Sequence, residues 1–195
     1  MLNLKKTNMG VQGKRIQRKL DGQFVEPDLI VDVESILRMA AAENCIDGNG
    51  NLKLEKIAEL KHINVVYEED MPATESGYFK SKNGLYTIGI NKKHHRNRQR
   101  FTLAHELGHF CLHKGKGNQD AVFKDEVYYR IENTSSIEYA ANEFAARLLI
   151  PEERLAKKIN EGMTDLNDLA EFFEVSIEAM KYRVLSLNYS ISNNG

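Results

Sequence analysis

The stretch Phe101–His113, FTLAHELGHFCLH, decides how the rest of the chain is read. Leu103, Ala104, Leu107, Phe110 and Leu112 supply the apolar positions of a buried helix, and Gly108 leaves room for close packing against it. On that helix His105 and His109 stand four residues apart, so both rings leave one face a turn apart, where two imidazoles can grip one metal ion. Glu106 lies beside the first of them, turned about 100° around the helix.

Zinc suits this pair, because it accepts nitrogen ligands at about 2.0–2.1 Å in tetrahedral geometry and keeps one open position when it is catalytic. Glu106 can hold a water in that position and take its proton, as in a metal-dependent peptide hydrolase. A third protein ligand is then required. His113 also lies near the face of the other two, but eight residues of helix place it about 12 Å from His105, too far to share one ion. The longer pattern H-E-x-x-H-x-x-G-x-x-H fails, since Leu112 and Gly115 occupy its last glycine and histidine. A carboxylate must come from elsewhere in the chain.

Lys114 to Thr134 is polar and short of helical period, and reads as a loop that could wall the site. Ile137, Ala140, Ala141, Phe144, Ala145, Leu148 and Leu149 follow at helical spacing and stop before Pro151. Glu138 opens this helix and is chosen as the third ligand. Ser135-x-x-Glu138 also fits a capping box, which would turn the carboxylate toward a backbone N–H, and Glu143 is the next candidate. Asn142 favours Glu138, standing four residues later on the same face, where it can orient a liganding histidine.

The 195 residues suffice for one domain with a sizeable core, and 42% hydrophobic with 28% charged residues is ordinary for a globular chain. A net charge of −1 predicts no general affinity for nucleic acid. Cys45 and Cys111 alone give no disulfide framework, which points to a reducing compartment. No apolar run approaches 18 residues and no signal-peptide pattern opens the chain, so the expectation is a cytoplasmic protein that does not engage a membrane. The first residues carry Lys5, Lys6, Lys14, Arg15, Arg18 and Lys19 before the first acid, Asp21, and are read as a basic arm without assigned function.

From Pro27, Leu29, Val33, Ile36, Leu37 and Ala40 predict a helix up to Asp47-Gly48-Asn49-Gly50. That break is a turn and not a calcium loop, because Leu52 and Ala58 hold the places of the required glycine and bidentate acid. A short helix around Leu54–Leu60 and three β-forming runs follow: Ile63 to Tyr67, Tyr78 with Phe79, and Leu85 to Ile90. The last run leads into the metal helix. Leu85 to Asn91 is the candidate edge strand for pairing with an extended substrate backbone, with an interior position as the alternative. Lys92, Lys93, His94, His95, Arg96, Arg98 and Arg100 open the helix, and read as a solvated rim in preference to a site for an acidic partner.

FTLAHELGHFCLH followed by EYAANEFAARLLIP resembles the ImmA/IrrE family of zinc metallo-endopeptidases, whose second motif has the form E-x-x-A-N-x-F-A-x-x-L-L-x-P. Over roughly residues 57–154, the resemblance implies His105, His109 and Glu138 as zinc ligands and Glu106 as catalytic base. It also implies a repressor-like protein substrate of the helix-turn-helix type, cleaved to switch transcription on. The expected fold class is α+β: a zincin-like domain over residues 26–160, with a small three-stranded sheet packed on helices. The basic arm over residues 1–25 precedes it, and a helix-turn-helix-like segment over residues 161–195 follows. In that segment Asp165, Asp168, Glu171, Glu174 and Glu178 oppose phosphate and only Lys181 and Arg183 attract it, so packing or protein docking is preferred to direct nucleic-acid binding. The alternative to an enzyme is a regulator that keeps the metal as a structural clamp and docks a repressor or antitoxin-like partner. Glu106 beside an open position argues against it.

Overall fold

The helical pattern that begins at Pro27 forms α1 (Pro27–Ala42), with Val33, Ile36 and Ala40 buried along one stripe, in a computed structural model that describes residues 9–12, 27–113, 121–126 and 136–193. At the following break the Asp47 carboxylate accepts the backbone N–H of Asn49 and of Asn51, each at 2.8 Å, so its oxygen closes a turn locally. The short helix α2 (Leu54–Leu60) buries Leu54, Ile57 and Ala58.

β2 (Ile63–Glu68), β3 (Glu75–Lys82) and β4 (Leu85–Asn91) are the three expected strands, and their sheet is mixed: β2 runs parallel to β4, and β3 antiparallel to it. Asn83 at φ 52° and Gly84 at φ 76° make the β3–β4 turn, the left-handed pair that a two-residue hairpin with the proper twist requires. A further strand, β5 (Ala121–Glu126), pairs antiparallel with the other side of β3, giving the order β2-β4-β3-β5. This strand lies inside the stretch expected to be loop. Val122 and Phe123 are its only β-formers, followed by three charged residues, and pairing with β3 supplies what so short a signal does not.

β4 is therefore interior and not the edge strand, which corrects its expected role in receiving a substrate backbone. Its last four residues are all buried, as befits a strand paired on both sides. Over Gly89 lies the ring of Tyr78, so close that a Cβ at Gly89 would fall 2.2 Å from Tyr78 Cε1. The Tyr78 hydroxyl donates to Glu68 Oε1 at 2.6 Å, and burial together with this bond pushes the phenol up to about 12. A raised folded-state value means that the contribution of Tyr78 to stability is complete below the ordinary phenol value near 10 and is lost as pH rises through about 12. Tyr78→Phe should thus be less stable than the wild type near neutral pH, with the gap closing as pH rises through about 12, measured by urea titration at stepped pH. A gap that stays constant with pH would count against the role of the hydroxyl.

α3 (Arg96–His113) and α4 (Ser136–Leu149) complete the unit Val25–Leu149. A second unit combines Ile150–Gly195 with the N-terminal segment that carries β1 (Met9–Gln12). It holds α5 (Glu152–Asn160), α6 (Leu166–Phe172) and α7 (Ile177–Ser186), and ends with β6 (Ser190–Asn193) paired antiparallel to β1. Arg154 and Lys158 of α5 lie over the aromatic rings that close α6, the Lys158 Nζ 4.7 Å from the Phe172 centroid, which joins α5 to the helix pair. Asp165 and Ser176 cap α6 and α7 with their side-chain oxygens, and Glu174 at φ 53° turns the chain between them. Arg183 is buried and donates from Nε to the Ile150 carbonyl at 3.0 Å. Of the two cations weighed for phosphate contact, Lys181 alone is exposed. The rest of the basic arm lies outside the described residues, as do Ser135 and most of the stretch expected as a wall loop. Among the described residues, no helix is long and apolar enough to cross a membrane.

Candidate metal centre

α3 and α4 approach closely because small residues meet at their contact. A Cβ added to Gly108 would stand 3.1–3.2 Å from Phe144, and Ala104, Ala141 and Ala145 are fully buried. This approach brings the start of α4 onto the face of α3 that carries both histidines. His105 and His109 are buried, with their Nε2 atoms 3.0 Å apart. Glu138 Oε2 lies 3.3 Å from His105 Nε2, and Oε1 lies 3.4 Å from His109 Nε2. The three residues offer ligand atoms all within 4.8 Å of one another, an arrangement compatible with a bound metal ion.

Electrostatics agree with that geometry. Burial alone would raise the Glu138 carboxyl, but its hydrogen bonds and charge interactions with His105 and His109 hold it well below the usual carboxylate range. Asn142 Oδ1 lies 2.9 Å from His105 Nδ1. An amide oxygen can only accept, so Nδ1 donates to it, and in a neutral imidazole Nε2 is then the nitrogen that would offer its lone pair to a metal. One turn of α4 thus supplies both the carboxylate and the group that sets the imidazole tautomer. Glu143, the other acid considered as a ligand, is buried elsewhere on α4 and accepts from Arg147 Nε at 2.8 Å. The side chain of His113 is outside the described residues.

Glu106 is fully buried beside the cluster. Its pocket is walled by β3 at Gly77, where an added Cβ would lie 2.5 Å from Thr102 Cγ2, 2.6 Å from the Gly89 carbonyl oxygen and 3.7 Å from Glu106 Oε1. Only a residue without a side chain allows the strand to come this near. The sequence signal for Gly77 is a glycine inside a strand, which marks close backbone approach. In the run from Lys92 to Arg100, expected as a solvated rim, two arginines are structural: Arg98 reaches Ser76 Oγ, and Arg100 Nη1 donates to the Leu52 carbonyl at 2.8 Å.

No curated protein matches the chain. The family model of the IrrE N-terminal-like domain (Peptidase_M78) matches residues 58–185, which takes in the sheet, the helix with His105 and His109, and the helix with Glu138. Because that match covers well over half of the sequence, the chain belongs to the IrrE N-terminal-like family, whose domain is of metallopeptidase type.

Proposed function

We propose that this protein is a zinc-dependent endopeptidase in which His105, His109 and Glu138 hold the metal and Glu106 is the general base. The observation that carries the reading is the spacing of the three donor atoms. Tetrahedral zinc with bonds of about 2.0–2.1 Å needs its ligand atoms about 3.3–3.4 Å apart. The two Nε2 atoms stand 3.0 Å apart, and each meets a different oxygen of Glu138, at 3.3 Å from His105 and 3.4 Å from His109, so the carboxylate straddles the pair at ligand-like range. Two neutral imidazoles and one carboxylate are also the donor set of a catalytic zinc site with a position left for water or substrate.

Zinc held there would polarise the scissile carbonyl and make an adjacent water more acidic. The chain's own residues do the rest. Asn142 keeps His105 in the tautomer that can donate its Nε2 lone pair, and the Glu138 carboxylate remains ionised to offset the cation's charge. Glu106 takes the proton from the attacking water and delivers it to the leaving amine nitrogen. Walls formed by Gly77 and Thr102 keep bulk water from its carboxylate, which strengthens its interaction with a nearby cation.

We infer a protein substrate, and the resemblance to the ImmA/IrrE family supports a repressor of the helix-turn-helix type, cleaved to regulate transcription. The test is to purify the wild type and Glu106→Gln, quantify zinc in each, and incubate both with repressor-like proteins encoded nearby. Zinc in both with cleavage only by the wild type is the expected result, with a rate loss of about a hundredfold to ten-thousandfold in the variant. Absence of zinc from both would remove the central premise, and zinc without cleavage would favour the metal-clamped docking protein.

A further inference from the structure

Arg98 lies in the basic run at the start of α3, which the proposed chemistry leaves unused, and it reaches back to the sheet. Its Nε and Nη2 donate to Ser76 Oγ at 3.2 and 2.8 Å. Ser76 is buried and sits where β3 and β5 slip in register: Glu75 pairs with Glu126, but Gly77 pairs with Asp125. A bulge of this kind takes one residue out of the ladder and redirects the strand. Buried Asn91 fixes the approach to it, donating from Nδ2 to the carbonyls of Pro72 at 2.9 Å and Glu75 at 2.8 Å. Directly after the bulge comes Gly77, the wall of the Glu106 pocket.

We propose that Arg98 is a positioning residue for Glu106: by clamping Ser76 it holds the bulge, and thereby sets how closely the Gly77 backbone covers the Glu106 carboxylate. Two guanidinium donors on one hydroxyl fix direction as well as distance, which a single ammonium does less well. The helix that carries Glu106 thus places its own opposing wall. The kinetic consequence rests on the peptidase reading, while the clamp itself does not.

The test uses the full chain with Arg98→Ala, Arg98→Lys, Ser76→Ala and the combination of Arg98→Ala with Ser76→Ala. On a quenched-fluorescence peptide library, kcat should fall about tenfold to a hundredfold in Arg98→Ala, because a misplacement near 1 Å carries a penalty of that order. KM and zinc content should stay within about twofold, Arg98→Lys should recover part of the loss, and the combined variant should be no slower than Arg98→Ala alone. Amide hydrogen exchange followed by mass spectrometry needs no turnover, and should rise in β3 and β5 of Arg98→Ala with β2 unchanged. An unchanged kcat, additive losses in the combined variant, or exchange rising evenly through the sheet would each overturn the proposal. A wild type that cleaves no library member counts against the peptidase reading alone, and the exchange measurement then decides the clamp.

Discussion

Glu138→Ala is expected to lower zinc affinity by more than about a hundredfold and to abolish proteolysis, since even groups that only support a ligand are commonly worth 10–100-fold. The carboxylate stands 3.3 and 3.4 Å from the two Nε2 atoms and carries the anionic charge of the cluster. Without it, two buried imidazoles would have to hold a dication alone. Glu143→Ala is the control, five residues along the same helix and buried where Glu138 is partly exposed. Its carboxylate is bonded to Arg147 Nε, so its loss should cost about 1–3 kcal/mol of stability and leave zinc bound. Competition with a chromophoric chelator and thermal unfolding of both variants would separate the two acids. The reverse pattern, zinc lost with Glu143 and kept without Glu138, would refute the assignment.

Gly77→Ala is expected to destabilise the fold by about 3 kcal/mol and to reduce activity further than the stability loss explains. The added methyl would meet Thr102 Cγ2 at 2.5 Å and the Gly89 carbonyl oxygen at 2.6 Å. Thr102 can adjust in part, but the carbonyl belongs to a strand paired on both sides and cannot rotate away. β3 must therefore retreat from α3, opening the pocket of Glu106. Gly48→Ala is the control, because nothing lies within 4 Å of its added Cβ and no left-handed backbone is involved, so its effect should stay within about 0.5 kcal/mol. Urea unfolding of the two variants decides this. A Gly77→Ala protein as stable as the wild type would show that β3 is not held against Glu106.

Much of the candidate metal centre's geometry was legible because its signals are local. His105 and His109 share a face through helical periodicity alone, and the choice of Glu138 over Glu143 followed from Asn142 one turn beyond it. The helices beginning at Pro27 and ending before Pro151 carry apolar stripes and breakers that need no partner to be recognised. β5 was not legible, because two β-formers followed by three charged residues become a strand only when β3 offers them a ladder. Arg98 and Arg183 were misplaced for a related reason. A cation is read as solvated until a buried acceptor, here Ser76 Oγ and the Ile150 carbonyl, is brought to it by the fold.

The sequence by itself determined that two imidazoles and an acid sit on one helix, that a second amphipathic helix carries a carboxylate, and that two motifs resemble those of a metallopeptidase family. These follow from spacing of 3 to 5 residues, a range over which helix geometry is nearly independent of context. The tertiary structure alone decided that Glu138 and both histidines converge, that β4 is interior, and that Gly77 forms the wall beside Glu106. Those depend on how far apart packed elements stand, which Gly108 against Phe144 and the Arg98–Ser76 clamp set through contacts between residues distant in the chain. No local pattern encodes such a distance, because it is the outcome of close packing between surfaces that sequence describes one at a time.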